Sequence, residues 1–163
     1  TREEQAKELK TLGAAEVLAF DPARHQRQEL REQVLSITNH QGVRWAMDPV
    51  GGETGSALVG CLGEQGRLLV YGTLDDQPLN FSSRQLMTQN SRVEGFWLSH
   101  WMQQQGLIGK LKLVKKITQL MLAGVLVSEV GEIYPLERIE EAVQQSEKPG
   151  RGGKVLLQIQ PQQ

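Results

Sequence analysis

A single cysteine, Cys61, in 163 residues allows no internal disulfide and no thiolate cluster for a metal. That scarcity suits a reducing compartment. The cytoplasm is the expected location, with an organelle left open because the chain starts at Thr1 with no initiator Met. No apolar run approaches the roughly 18 residues of a spanning helix, so no membrane partner is expected. Lys and Arg number 18 against 19 Asp and Glu, a net charge of -1, so no chain-wide field draws nucleic acid. His25, His40 and His100 are scattered, without cysteine or carboxylate at ligand spacing, which argues against a metal site. No strained Ser elbow or paired acids suggest hydrolysis. Also missing is any glycine-rich phosphate fingerprint. Aromatic residues make up only 5% of the chain, so the gathering of Phe96, Trp97 and Trp101 within six positions stands out.

What is present alternates between two periodicities. Arg2 to Leu12 reads as a helix with Ala6, Leu9 and Leu12 on one side, stopped by Gly13 at a C′ position. Glu16 to Phe20 reads as a short strand and Asp21-Pro22 as a turn, after which Leu30, Val34, Leu35 and Ile37 form a helical stripe. Arg44 to Asp48 is a strand. The turn Pro49-Val-Gly-Gly52 and a helix with Ala57, Leu58, Cys61 and Leu62 follow, closed by Gly63 and Gly66. Cys61 on that apolar face reads as a structural thiol. Arg67 to Tyr71 is almost continuously apolar, as in a parallel strand covered on both faces. Val93 to Leu98 is the next strand and Leu111 to Leu126 a long helix. Val130 to Tyr134, Leu136 to Gln145 and Lys154 to Ile159 then read as strand, helix and strand. Alternation of this kind predicts βαβ units and an α/β fold with a doubly wound parallel sheet, in which ligands bind at the carboxyl ends of strands.

These segments, in this order, resemble the cofactor domain of medium-chain dehydrogenase/reductases, particularly the zinc-free quinone oxidoreductase and 2-enoyl thioester reductase branch. The shared pieces are Leu12-Gly-Ala14, Asp48-Pro-Val-Gly-Gly52, Gly66-Arg-Leu-Leu-Val-Tyr-Gly72, Gly95-Phe-Trp-Leu98, Tyr134-Pro-Leu-Glu137 and Gly153-Lys-Val-Leu156. The resemblance implies an incomplete Rossmann-type domain over 1–128, and a segment over 129–163 returning toward a catalytic domain that lies upstream and outside this chain. The first strand and its glycine-rich turn would lie upstream as well.

It also implies which residues meet a nicotinamide cofactor. Tyr71, Gly72, Thr73 and Leu74 would run along the nicotinamide half, though alone they are an ordinary turn. Phe96, Trp97 and Leu98 would present backbone groups from the neighbouring strand and apolar side chains that keep water out. Pro49, Val50 and Gly51 would floor the adenosine half, or equally form a Pro-Gly turn capping a strand. Thr1 and Arg2 would fall at the adenosine ribose. A cation without a neighbouring acid favours a 2′-phosphate and hence NADPH, with NADH possible; Arg2 could equally be a solvated residue of a first helical turn. Lys154 matches a basic residue that reaches the cofactor in relatives.

The activity implied is hydride transfer from that cofactor to a small-molecule quinone or conjugated enone or 2-enoyl substrate. Catalytic residues are unknown, since any proton donor would sit on the upstream domain. Pro78-Leu-Asn-Phe81 reads as an edge strand near which a homodimer would form through Leu79 and Phe81. Two other readings stand beside this one: the cofactor domain of a zinc-dependent alcohol dehydrogenase, and a non-catalytic binding module.

Overall fold

A computed structural model describes residues 2–148 and 152–159, with side chains from Glu4 onward. The chain forms two compact bodies that divide between Gln104 and Gln105, earlier than the functional division expected at 128.

In the first body, helix α1 (Arg2–Thr11) ends as the sequence predicts. Gly13 takes φ +105, and the Ala14 amide turns back to the Leu9 carbonyl at 3.0 Å. Glu16 to Phe20 is not a strand: it has no regular secondary structure and pairs with none of the described strands. A turn follows, in which the Arg24 and His25 amides both donate to the Asp21 carbonyl at 2.9 Å. Helix α2 (Arg27–Ile37) buries Leu30 and Val34, whereas Leu35 is half-buried and Ile37, expected in the same stripe, is half exposed.

Strands β1 (Val43–Asp48), β2 (Leu62–Val70) and β3 (Arg92–Gly95) form a parallel sheet in that order. Helix α3 (Gly52–Cys61) joins the first two and α4 (Ser83–Gln89) precedes the third. Sequence reading places Leu62 at the end of α3. Instead it adopts extended backbone, φ -63 and ψ 139, and opens β2. Gly63 and Gly66 therefore do not terminate a helix; they sit in the irregular stretch where the register jumps from Val43↔Leu62 to Trp45↔Arg67. A Cβ on Gly63 would stand 2.0 Å from the Gln41 carbonyl oxygen, so close backbone approach requires glycine there.

The core lies on one side of the sheet. Leu30, Val34, Ala57 and Cys61 form one cluster between α2 and α3. Val59, Leu62 and Leu68 form another against Ala46, Val70, Phe81, Leu86 and Val93. On the other face Trp45 and Met47 are exposed, so β2 is fully covered on one face within this body, not two. Beyond the irregularity after Val43 the alternation is elementary: Ala46, Leu68 and Val70 face the core, and Trp45 and Met47 have the other parity.

Pro78–Phe81 is not an edge strand either. Phe81 packs into the second cluster, Leu79 covers Gly55 of α3, and the Asn80 amide donates to Ser56 Oγ at 2.9 Å. Arg27 ties the loop down by donating to the Asn80 carbonyl and, through Nε at 2.6 Å, to the Glu53 carboxylate. The edges of the sheet among the described residues are β1 and β3.

The Arg27 guanidinium holds the Glu53 carboxyl below its ordinary value, chiefly through the hydrogen bond, against the opposing effect of desolvation and with a lesser Coulombic contribution. A carboxyl depressed by folding stabilises the protein above its unfolded value and loses that contribution as pH falls through the folded one. The wild type is therefore expected to lose stability more steeply than Glu53→Gln below about pH 4.5, the ordinary glutamate value. The pair is solvent-exposed, so the difference is small. Thermal melts of both proteins between neutral pH and pH 3 check it; parallel acid slopes contradict it.

After helix α5 (Leu98–Gln104), the second body begins with helix α6 (Leu107–Leu122), four residues earlier at each end than the periodicity predicts. Strand β4 (Val130–Pro135), a 3-10 turn (Leu136–Arg138), helix α7 (Ile139–Glu147) and strand β5 (Lys154–Gln158) complete it. Strands β4 and β5 pair in parallel, with α7 as the crossover and Ala142 buried beneath it. Gly131 and Gly153 let the two strands meet closely at their start: a Cβ on Gly153, which has φ +66, would stand 2.5 Å from the Gly131 nitrogen.

Candidate functional site

The carboxyl ends of the three-stranded sheet carry the residues of interest. At the end of β1, Asp48 is completely buried, and its Oδ1 accepts from the amides of Val50 at 2.9 Å and Gly51 at 3.0 Å. This closes the Pro49–Gly52 turn and presents a carboxylate to the first turn of α3, where the helix dipole favours negative charge. Gly51 and Gly52 take φ +83 and +50, backbone that permits the reversal. Oδ2 faces Gly55, where an added Cβ would be 2.2 Å away, and has no hydrogen-bond partner. Asp48→Asn would replace two charge-assisted bonds by neutral ones and bury an amide with nothing to accept from it. A loss of about 2 kcal/mol is expected. Urea unfolding with an unchanged slope measures it, and a variant as stable as the wild type sinks the assignment.

The next segment is locked to this turn. The Tyr71 amide donates to the Asp48 carbonyl at 2.9 Å, and the Asp75 amide to the Val50 carbonyl at 2.8 Å. Gly72 lies so close to Pro49 that a Cβ would stand 2.3 Å from the Pro49 carbonyl oxygen. Phe96 joins from the other side, its amide donating to the Val70 carbonyl at 2.8 Å.

Beyond Gly95 the structure departs from the sequence reading. The expected strand through Leu98 stops at Gly95, Phe96 and Trp97 are an irregular link, and Leu98 begins a short helix, α5 (Leu98–Gln104). Helical geometry thereby places His100 and Trp101 beside Trp97 and Phe96: the Trp101 amide donates to the Trp97 carbonyl at 3.0 Å, and the Phe96 and Trp101 rings lie 6.4 Å apart. His100 Nε2 is 2.9 Å from Gln104 Nε2, one turn further on.

Together these segments enclose an open cleft of about 440 Å³ lined by Val70, Tyr71, Gly72, Thr73, Gly95, Phe96, Trp97 and His100. Tyr71, Gly72, Thr73, Phe96 and Trp97 are thus brought together. Leu74 and Leu98 belong to the same two segments but do not line the cleft, being 84% and 59% exposed. Pro49, Val50 and Gly51 do not line it either; they brace it through Asp48 and Gly72. Lys154 opens β5 in the second body, its Nζ 3.4 Å from Ser128 Oγ. Thr1 lies outside the described residues, as does the side chain of Arg2. Sequence reasoning missed His100. Counting three residues on from Trp97 along a helix, instead of extending a strand, would have found it.

The cleft suits a flat, partly apolar ring. Tyr71 and Trp97 are 47% and 73% exposed, an uncovered aromatic rim on a chain poor in aromatics. Gly95 at the floor differs from Gly72: no atom comes within 4 Å of where its Cβ would be, so the space it leaves belongs to the cleft. A larger hollow of about 720 Å³, lined among others by Arg31, His40, Gly42 and Gln65, opens at the opposite, amino-terminal end of the strands. Ligands of open parallel sheets bind at carboxyl ends, so the smaller cleft is the candidate.

Cys61 is not part of it. The thiol is buried between α2 and α3, burial pushes its pKa up against a partial offset from Arg31, and its Sγ lies 3.3 Å from the Ala57 carbonyl oxygen. Among the described residues no group of three or more His, Cys, Asp and Glu side chains could hold a metal ion.

The parallel α/β sheet with an aromatic cleft at its carboxyl end defines a Rossmann-type nucleotide-binding domain. The chain belongs to the zinc-binding dehydrogenase family, whose pattern it matches over residues 1–115, and it corresponds to the cofactor domain of medium-chain dehydrogenase/reductases. It is 28% identical over 149 residues to the human mitochondrial enoyl-[acyl-carrier-protein] reductase, covering 91% of this chain and 39% of that protein. The Dictyostelium discoideum enzyme of the same name is 26% identical over 124 residues, 76% of this chain and 35% of its own length. A structure described as an NADPH:quinone reductase of Bacillus thuringiensis superposes with a TM-score of 0.78 at 26% identity, covering 94% of this chain and 45% of that one. The alcohol dehydrogenase of Aeropyrum pernix superposes with a TM-score of 0.68 at 27% identity, covering 94% and 39%. The chain thus spans less than half the length of these relatives.

Proposed function

We propose that this chain supplies the nicotinamide-facing wall of an NAD(P)H-dependent oxidoreductase that reduces a quinone or a conjugated enone or 2-enoyl substrate. The observation that carries this is the cleft itself: Tyr71 to Thr73 and Gly95 to Trp97 stand side by side at the carboxyl ends of adjacent strands. The names of relatives support the choice of chemistry, an enoyl reductase and an NADPH:quinone reductase among them. A bound nicotinamide would supply the hydride. Gly72, Thr73 and Gly95 would hold it by backbone groups, and Gly95 leaves the room for a ring edge. Tyr71, Phe96 and Trp97 would orient it and exclude water from the reacting face. Leu74 and Leu98 would extend this apolar wall toward the substrate.

NADPH is the preferred cofactor in this proposal, with Arg2, beside Thr1, reaching a 2′-phosphate; NADH is the alternative. Pro49, Val50 and Gly51 would floor the adenosine half, and Lys154 would add a cation. Residues 1–128 would provide the dinucleotide-binding part and 129–163 the return toward a catalytic domain. The protein would work as a homodimer through an edge of the sheet, β1 or β3, and not through Leu79 and Phe81, which are committed to their own fold; light scattering at a monomer mass refutes that. The single buried thiol suits a reducing compartment, the cytoplasm or the mitochondrion named for the relatives.

The expected result is NADPH binding by calorimetry, and oxidation of NADPH with a quinone or a 2-enoyl thioester by the full-length protein. Trp97→Ala is expected to lower turnover about 10-fold, equivalent to about 1.4 kcal/mol of barrier, without loss of folding. Full-length protein that binds neither nucleotide ends this reading.

A further inference from the structure

At the end of the sheet away from the aromatic rim, a second cleft gathers positive charge. It encloses about 100 Å³ and is lined by Arg44, Trp45, Gln65, Arg67, Asn90 and Arg92. Trp45 is the register partner of Arg67, and Arg67 that of Arg92, so an indole and two guanidinium stems rise from one face of three adjacent strands. Arg67 stacks over the Trp45 ring at 5.2 Å and reaches Glu94 at 3.8 Å. Arg44 and Arg92 have no carboxylate partner among the described residues, and Glu94 does not line the cleft.

Like charges directly opposite one another on a sheet are destabilising. Three of them around one small cleft, on a chain whose net charge is -1, is a local arrangement that composition does not explain. The two amide side chains of the cleft come from residues in left-handed backbone: Gln65 at φ +55, in the irregular stretch of β2, and Asn90 at φ +50, the C-cap of α4. For Asn90 that conformation is the ordinary end of a helix, whereas for Gln65 it is uncommon, and such outliers concentrate at binding sites.

We propose that this cleft binds a phosphoryl group. Three guanidiniums match the three terminal oxygens of a phosphate better than the two of a carboxylate, and each makes a charge-assisted hydrogen bond. The Gln65 and Asn90 amides add neutral donors. Trp45, 64% exposed, offers a ring surface beside the anion for the base of a nucleotide. The site lies about 10 Å along β2 from the nicotinamide-facing cleft, from Arg67 to Val70, and is independent of the function proposed for that cleft.

The test is calorimetry and thermal melting of the intact protein with inorganic phosphate and with 5′-AMP, against chloride at constant ionic strength. Phosphate is expected to raise the melting temperature of the wild type. The double variant Arg44→Gln, Arg92→Gln is expected to bind phosphate at least 10-fold more weakly. Without phosphate it is expected to melt at or above the wild type, since removing like charges relieves repulsion. Its NADPH affinity is expected to be unchanged. Arg92→Lys, which keeps the charge, is expected to retain most of the binding and guards against a folding defect in the double variant. Tighter binding of 5′-AMP than of phosphate identifies a nucleotide as the source of the phosphoryl group, and equal binding identifies the phosphoryl group alone. No response to either anion, or an equal response in wild type and double variant, overturns the proposal.

Discussion

Gly72→Val is expected to melt well below the wild type and to lose the aromatic cleft with it. Even the first carbon of the new side chain would stand 2.3 Å from the Pro49 carbonyl oxygen and 2.9 Å from its carbonyl carbon. Both are backbone atoms of a turn already held by Asp48, so neither can swing aside as a flexible side chain would. Relief requires the Tyr71–Thr73 segment to move away from Pro49, which breaks the bonds from Tyr71 to Asp48 and from Asp75 to Val50. Overpacking of this kind costs about 3 kcal/mol, the upper part of its usual range. For a chain of this size that lowers the melting temperature by about 6–12 °C. Differential scanning calorimetry measures it. A variant within about 1 °C of the wild type would show that the two segments are not interlocked as described.

Gly95→Val should behave in the opposite way. Nothing lies within 4 Å of the position its Cβ would take, and the residue ends a strand, where a β-branched side chain is favoured. Stability should hold or rise slightly. The new methyl groups would instead fill the floor of the cleft between Val70 and Trp97, the space assigned here to a nicotinamide ring. NAD(P)H affinity of the full-length protein is expected to fall at least 10-fold, about 1.4 kcal/mol, while the melting temperature stays put. Unchanged affinity with the valine in place would remove the ring from this cleft, whatever the protein is found to bind. The pair of glycines separates two uses of the same residue: at Gly72 the protein's own backbone occupies the space, and at Gly95 the space is open to a ligand.

Much of the site was legible because it depends on strand ends. The apolar run ending at Tyr71-Gly72 and the aromatic run after Gly95 could be located from patterning, and a parallel sheet brings such ends together at one edge. The turn at Asp48-Pro-Val-Gly-Gly52 was legible as a turn, but not its work as a brace; that depends on a buried carboxylate accepting from the two amides that follow it. Local pattern failed where a neighbour decides the outcome. Glu16 to Phe20 has the composition of a strand, yet a segment with no strand paired beside it cannot form a ladder. Pro78 to Phe81 alternates like an edge strand, yet its apolar side chains found a better place against α3 than an edge would offer. Leu98 to Trp101 continues an aromatic run and still turns helical, so that His100 arrives in the cleft.

By itself the sequence determined the kind of fold and the strand ends at which the candidate cleft forms, because hydrophobic period and glycine position are properties of neighbouring residues along the chain. Tertiary structure alone decided which strands found partners, which glycines are filled from within, and that Arg44, Arg67 and Arg92 share one cleft. Those outcomes depend on distances between residues far apart in sequence, set by the register β1 and β3 take on β2, and no local pattern encodes a register.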